Sequence, residues 1–135
     1  MLVGIGHCNG KDPFLSGQEV ARLAMEKADI ESPDLVIAFC HGQMDHSEFL
    51  DGIRAVVGPS PPVIGGSAIG VITNDYVSYT EYPSCAAIIE CKGTRYSIGW
   101  EDGIDIDEKG TGRNLAAKLS PTGSEKLLFT FYDSI

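Results

Sequence analysis

The chain has 135 residues, of which 43% are hydrophobic, and this is enough to bury the core of one domain. Its formal net charge is −9, and it has no basic run that could neutralise phosphates. This charge argues against nucleic acids and anionic membranes, so the expected partner is a small molecule or another protein.

Hydrophobic segments and cysteines indicate the compartment. The longest apolar run, Leu35–Cys40, has six residues, whereas a membrane-spanning helix needs roughly 20. The N-terminus lacks a basic segment followed by a long apolar one, so we expect an unexported, cytoplasmic protein. Thiols are reduced in that compartment. The cysteines lie mostly in apolar, strand-like stretches, and all four are expected to be free: Cys8, Cys40, Cys85 and Cys91.

The first half of the chain alternates strands and helices. Residues 2–8 predict a strand, and Ser16 with Glu19 has the spacing of a capping box, which predicts a helix from Ser16 to about Asp29. Apolar residues of this helix recur every three or four positions, as on a helix with one buried face. The next strand, residues 34–40, is apolar throughout after its first residue, which is typical of a central parallel strand.

A second capping box, Asp45-His-Ser-Glu48, predicts another helix, which the Gly58-Pro59 pair ends. A third strand over Pro62–Gly65 completes a β-α-β-α-β unit. Right-handed crossovers would place the three strands parallel in one sheet, with their carboxyl ends at one edge. Such a unit also allows strands one and two to be neighbours.

The second half of the chain predicts antiparallel strands. Cys85–Cys91 and Thr94–Ile98 flank Lys92-Gly93, a two-residue loop typical of a tight hairpin turn. A short helix over Arg113–Leu119 and a last strand over Lys126–Tyr132 follow. The predicted fold class is a single α/β domain with a mixed sheet, whose parallel start is extended by antiparallel strands.

The predicted ligand site lies at the carboxyl edge of the parallel strands, where open α/β sheets bind their ligands. Three strand ends would supply its residues: His7, Cys8 and Asn9; Cys40 and His41; Gly65, Gly66 and Ser67. The glycines would let a ligand reach backbone N–H groups, and the polar side chains would orient it. The alternative is that Gly65 and Gly66 only admit a close neighbouring strand.

Catalytic alternatives rest on Ser67 and Cys40. The sequence around Ser67 has every element of a nucleophile elbow except the last glycine, because Ile69 occupies that position. Cys40 with His7 would form a cysteine–histidine pair. Both constellations are incomplete, so we assign no catalytic residues. A hydrolase or acyl-transfer enzyme is the alternative to a binding domain.

Cofactor and metal motifs are also incomplete. The glycines of Gly65–Gly70 lack the dinucleotide-binding spacing, and the chain has no Gly-Lys-Ser/Thr phosphate loop. His7-Cys8 and Cys40-His41 could offer zinc ligands, but neighbours in a strand point to opposite faces. Asp105-Ile-Asp107 starts like a calcium loop and lacks the later ligands. We therefore expect neither a cofactor nor a metal.

Three segments together resemble the N-terminal domain of the FIST family, whose name refers to F-box and intracellular signal transduction proteins. They are the apolar strand Pro33–Phe39, the helix end Val56–Gly58 and the glycine-containing stretch Pro62–Gly70. The resemblance is best over residues 33–75. It implies a sensory domain that binds small ligands such as amino acids and occurs with signalling or F-box modules. It brings no catalytic residues.

The resemblance also bears on domain organisation, because family members continue into more of this domain and a C-terminal FIST domain. We expect residues 1–135 to be one FIST N-terminal-like domain, either truncated at its C-terminus or a minimal stand-alone member. Its expected partners are a small molecule, signalling proteins and a C-terminal FIST domain. A protein-protein interaction module is the third functional alternative, and it predicts an exposed apolar patch and no pocket at the carboxyl edge.

Overall fold

The computed structural model describes residues 1–119, 121–123, 125 and 127–132. It divides into two compact units, residues 1–94 and 95–135, which are described separately. The elements of the first unit are β1 (Leu2–Asn9), α1 (Pro13–Ala28), β2 (Leu35–His41), α2 (His46–Val57), β3 (Val63–Ala68), β4 (Val71–Ile72), β5 (Val77–Ser78) and β6 (Pro83–Glu90). The second unit contains α3 (Glu108–Leu119).

Four strands of the first unit form one mixed sheet in the order β1-β6-β2-β3. β2 and β3 pair in parallel, whereas β6 runs antiparallel to both of its neighbours, β1 and β2. The predicted α/β fold class with a mixed sheet is confirmed, and β1, β2 and β3 point the same way. Strands one and two are not neighbours, however, because β6 lies between them. In this interior position of the sheet, three residues of β6 are fully buried: Ser84, Ala86 and Ile88.

Both helices of the first unit pack on one face of the sheet. The chain moves in the same direction across the sheet from β1 to β2 and from β2 to β3, so right-handed crossovers put α1 and α2 on the same side. α1 lies close to β1, where a Cβ on Gly6 would be 2.0 Å from the Val20 carbonyl oxygen. The core fills the space between helices and sheet, and its fully buried side chains include Val20, Val36, Ile53 and Ile88.

α1 begins earlier than the Ser16 capping box predicts. Asp12 is its N-cap and accepts a hydrogen bond from the Leu15 amide at 2.9 Å. Pro13 follows in the first turn, where its missing N–H has no intrahelical partner to lose. Ser16 is instead buried within the helix, and its hydroxyl donates to the Gly10 carbonyl at 3.0 Å. The predicted start is therefore wrong, because Asp12 caps the helix and its side chain accepts from the Leu15 amide.

The other helix boundaries of this unit agree with the sequence. α1 ends at Ala28, close to the predicted end. Asp45 caps α2 as predicted and accepts hydrogen bonds from the amides of Ser47 and Glu48. Gly58 ends α2.

β3 is longer than predicted, because it continues through its glycines. It runs to Ala68 rather than ending at Gly65, so Gly66 and Ser67 belong to the ladder with β2 and do not lie in a loop after it. β2 itself extends to His41, and this extension gives the last residues of β3 a partner.

The predicted hairpin over residues 85–98 is correct in its first strand and its turn, and wrong in its second strand. Lys92-Gly93 forms the turn, which a hydrogen bond from the Thr94 amide to the Cys91 carbonyl closes at 3.1 Å. Residues 94–98 do not form a strand. Both edges of β6 are already paired, with β1 and β2, so no edge is left for a strand after this turn.

A short hairpin that the sequence does not predict follows β3. β4 and β5 pair over two residues each, and the Thr73 amide donates to the Tyr76 carbonyl at 2.8 Å across the turn. Strands of this length are too short for apolar periodicity to reveal them.

In the second unit, α3 includes the predicted helix over 113–119 and begins earlier, at Glu108. Asp107 caps it and accepts a hydrogen bond from the Gly110 amide at 2.9 Å. The predicted last strand is wrong for residues 127–132, whose backbone is irregular and whose large apolar side chains are exposed. Its first residue, Lys126, lies outside the described residues.

No helix in the described part of the chain is long and apolar enough to cross a bilayer.

Candidate functional site

The carboxyl ends of β2 and β3 lie side by side at one edge of the sheet. Ser67 pairs with Cys40, and Ala68 pairs with His41, in the parallel ladder. After these pairs the chain turns toward α2 at the end of β2 and toward β4 at the end of β3. The ends of two parallel strands therefore meet in the arrangement that α/β sheets use for ligands.

A cavity of about 280 Å³ opens at this edge, which is close to the lower end of the roughly 300–1,000 Å³ typical of small-molecule sites. The last residues of both strands and the first residues after them line it: His41, Gly42, Gln43, Ser67, Ala68 and Ile69. Two predicted site residues, His41 and Ser67, thus lie in one cavity. The other four lining residues were not predicted, although they follow closely after the ends of the predicted strands.

A backbone hydrogen bond fixes the tautomer of His41. The amide N–H of Gln43 donates to Nδ1 of His41, with 3.3 Å between the nitrogens. Because Nδ1 accepts, the neutral ring carries its proton on Nε2 and offers an N–H donor. The ring also contacts Tyr82 edge to face, with 5.6 Å between the centroids. Both contacts limit rotation of the imidazole, so His41 is preorganised as a donor.

The cavity lining combines neutral polar groups with apolar surface. The Ser67 hydroxyl and the Gln43 side-chain amide can each donate or accept, whereas Ala68 and Ile69 contribute apolar atoms. Among the described residues that line the cavity, none is Asp, Glu, Lys or Arg. The N–H and O–H donors among these groups are of the kind that suit carboxylate or carbonyl oxygens.

The two glycines at the centre of β3 have different environments. Gly65 has a φ of 147°, a region that favours glycine, and a Cβ there would lie 1.7 Å from the carbonyl oxygen of Ala38 on β2. Gly65 therefore admits the neighbouring strand, which is the alternative left open by the sequence. A Cβ on Gly66 would meet no atom within 4 Å, and Gly66 does not line the cavity.

The four cysteines, Cys8, Cys40, Cys85 and Cys91, are not joined by disulfides in the structure. Burial raises the pKa of Cys8 and Cys85, and it raises the pKa of Cys40 to about 11, with a smaller contribution from the Cys85 thiol. A nucleophilic cysteine needs the opposite shift, which favours the thiolate. The environment of Cys40 therefore argues against its use as a nucleophile.

β6 separates the candidate residues of β1 from the cavity. His7 pairs with Cys85, which in turn pairs with Phe39 of β2. The cysteine–histidine pair of Cys40 and His7 is therefore not formed, because a whole strand intervenes.

The candidate residues of β1 make internal contacts instead. The Cys8 thiol donates to the Ser16 carbonyl at 3.7 Å, on the face covered by α1. The Asn9 side-chain oxygen accepts a hydrogen bond from the Tyr82 amide at 2.8 Å. Asn9 thereby holds the segment whose aromatic ring contacts His41.

His7 attaches the β4–β5 turn to β1. Its ring stacks on Tyr76, with 4.2 Å between the centroids and 3° between the planes. Nδ1 of His7 lies 3.4 Å from the Thr73 hydroxyl and 3.6 Å from the Asp75 carboxylate. Lys27 of α1 reaches the same carboxylate at 3.2 Å. These contacts join His7 and Lys27 to Thr73, Asp75 and Tyr76 of the turn, and this group of five residues is called the clasp. The clasp lies outside the cavity.

The positions of these side chains can be compared with those that a metal site or a catalytic pair requires. Within the described residues, no three His, Cys, Asp or Glu side chains are grouped as ligands for a metal ion. In the same part of the chain no hydrogen bond joins Ser67 to His41, whose Nδ1 already accepts from Gln43. The cavity therefore offers binding groups rather than a serine–histidine pair.

Comparison with known proteins identifies the family. The family model of the FIST N domain matches residues 34–135, more than half of the chain. The matched range includes β2, α2, β3 and every residue that lines the cavity, and it begins after β1 and α1. No curated protein matches the chain at a significant level. The chain therefore belongs to the FIST family, and residues 34–135 correspond to its FIST N domain.

Proposed function

We propose that this FIST N domain is a sensory domain that binds a small ligand in the cavity at the ends of β2 and β3. The observation that supports the proposal is a cavity at the ends of two parallel strands that is lined by His41, Gln43 and Ser67, three residues with hydrogen-bonding side chains. The association of the family with signal transduction supports a sensory role.

The proposed ligand is an amino acid, the class that the family resemblance implies. Its carboxylate would accept hydrogen bonds from polar groups of the lining residues, such as Nε2–H of His41 or the Ser67 hydroxyl. No acidic side chain is present among the described lining residues, so the ammonium group of the ligand would face solvent. A charge on this group is less costly in water than in the cavity.

The proposal includes a cytoplasmic location and protein partners. Free cysteines fit a reducing compartment, and the net charge of −9 disfavours nucleic acids and anionic membranes. Signalling proteins and a C-terminal FIST domain are the proposed partners that would respond to ligand occupancy. The proposed domain also includes β1 and α1, because β1 pairs with β6 along its whole length.

A thermal-shift screen with amino acids and other small carboxylates tests this function. A ligand that binds only the folded state raises the melting temperature, by on the order of 10 °C at a hundred times its Kd in a domain of this size. Ser67→Phe would place a ring in the cavity and should remove the shift. Gly66→Val is the matched control, because it adds a side chain to the same strand in open space and should retain the shift.

The melting-temperature shifts of the three proteins distinguish binding in the cavity from binding at another surface. A shift in the wild-type protein and in Gly66→Val, but not in Ser67→Phe, supports the cavity. Equal shifts in all three proteins contradict it, and so does a flat response of the wild-type protein to the whole set of compounds. Melting curves without ligand provide the baseline for each variant.

A further inference from the structure

Met44 ends the turn that carries two of the cavity residues. Its amide donates to the His41 carbonyl at 3.0 Å and closes the turn, which presents Gly42 and Gln43 to the cavity. The side chain of Met44 is 6% exposed and belongs to the core between helices and sheet. One end of the turn is therefore fixed by β2, and the other end is fixed by a buried side chain.

A buried hydroxyl holds that side chain in place. Ser84 of β6 is fully buried, and its hydroxyl donates to Sδ of Met44 at 3.4 Å. Burying a hydroxyl is unfavourable unless it has a partner, and a thioether sulfur is a weak acceptor. Ser84 also pairs with Cys40, the residue before His41. The hydroxyl thus connects the central strand of the sheet to the far end of the His41 turn.

The turn from His41 to Met44 also determines the tautomer of the His41 ring. The Gln43 amide, which holds the ring as the Nε2–H tautomer, lies next to Met44 in the chain. A displacement of Met44 would move this amide away from Nδ1. The ring could then adopt the other tautomer, in which Nδ1 carries the proton.

We propose that Ser84 and Met44 are positioning residues for the cavity. Their contact fixes the turn from His41 to Met44, and with it the Gln43 amide and the donor state of His41. Neither residue lines the cavity, so they act through the turn and not on a ligand directly. The role given to Ser84 and Met44 rests on the proposed function, but the effect of their contact on the turn is testable without any ligand.

The test uses nuclear magnetic resonance of the whole chain without ligand. The ring nitrogen shifts of His41 report its tautomer, and the exchange rate of the Gln43 amide reports opening of the turn. Ser84→Ala removes the donor, and Met44→Leu keeps a buried apolar side chain but removes the sulfur acceptor. Each should speed exchange of the Gln43 amide by about threefold to tenfold, the range of one hydrogen bond, and populate the second tautomer.

Two further variants make the result specific. The double variant Ser84→Ala with Met44→Leu should exchange no faster than the faster single variant, because both changes remove the same contact. Ile88→Val alters a fully buried residue on the same strand and face as Ser84, and should leave the His41 tautomer unchanged. An unchanged tautomer and exchange rate in both single variants would overturn the proposal. An equal effect of Ile88→Val would also overturn it. A negative ligand screen would instead contradict only the proposed function.

Discussion

Gly65 of β3 lies so close to Ala38 of β2 that a Cβ atom on the glycine would be 1.7 Å from the alanine carbonyl oxygen. The two strands can pair at this point because Gly65 has no side chain. This contact explains one glycine of the stretch as a requirement of the sheet. Gly66, the next residue, has open space where its Cβ would be.

The two neighbouring glycines provide a matched pair of substitutions. Gly65→Ala should lower the free energy of unfolding by at least about 2 kcal/mol, because it combines overlap with a backbone conformation that alanine rarely adopts. Gly66→Ala should change it by less than about 0.5 kcal/mol. Urea unfolding of both variants measures the difference. Similar stabilities would show that the strands can separate enough to accept a side chain at Gly65.

Two substitutions in and next to α1 test which residue caps this helix. Asp12→Ala should lower the free energy of unfolding by about 1 kcal/mol, because it removes the acceptor for the Leu15 amide. Glu19→Ala removes the acidic residue of the predicted capping box, which instead makes an exposed ion pair with Arg22. Its effect should be at most about 0.5 kcal/mol. A larger loss in Glu19→Ala than in Asp12→Ala would contradict the helix start at Pro13.

Acid should weaken the clasp around Asp75. The hydrogen bond from Lys27 is the main cause that lowers the pKa of this carboxyl, with smaller contributions from Thr73 and from the charge of His7. A carboxylate whose pKa is lower in the folded state stabilises the fold above its unfolded pKa, about 3.9, and this stabilisation is lost as pH falls through the folded pKa.

Asp75→Asn should therefore lower the urea midpoint at neutral pH, and the difference from the wild-type protein should disappear at a pH below the folded pKa of Asp75. The effect should be small and should shrink in high salt, because the carboxylate is exposed. Asp51→Asn, which changes an exposed carboxylate on α2, is the control. A difference that persists at the lowest pH, or that Asp51→Asn reproduces, would count against the clasp.

The thiols should react slowly in the folded protein. With a pKa of about 11, only about one Cys40 thiol in a thousand is ionised at pH 8, and only the thiolate attacks iodoacetamide. Mass spectrometry should find Cys40 unmodified in the folded protein under conditions that label a small-molecule thiol. Denaturation without reductant should then expose four reactive thiols. Rapid stoichiometric labelling of Cys40 in the folded state would support the enzymatic alternative.

Local patterns in the sequence were sufficient for much of the fold. The apolar run of β2, the capping box at Asp45 and the Gly58 terminator depend on residues that are near one another in the chain, so they were correct. The Lys92-Gly93 turn was correct for the same reason. The apolar residues after Lys126 were insufficient to predict a strand, because a strand depends on a place in a sheet, and both sheets of the described part of the chain are formed by β1 to β6.

The place of β6 could not be predicted, because strand order depends on contacts between distant parts of the chain. Its insertion between β1 and β2 moved His7 and Cys8 away from Cys40 and divided the predicted site. His41 and Ser67, in contrast, line one cavity. His41 and Ser67 were predicted together because β2 and β3 are sequential parallel strands joined by one helix.

Chemical-shift mapping with an amino acid that raises the melting temperature locates the bound ligand directly. The proposed site predicts that the largest amide shifts lie at His41–Gln43 and Ser67–Ile69, and that the ring nitrogens of His41 shift with them. Amides around His7 in β1 should change little, because β6 separates them from the cavity. Largest shifts in β1 or along the outer surface of α1, with none at the ends of β2 and β3, would contradict the assignment of this cavity as the ligand site.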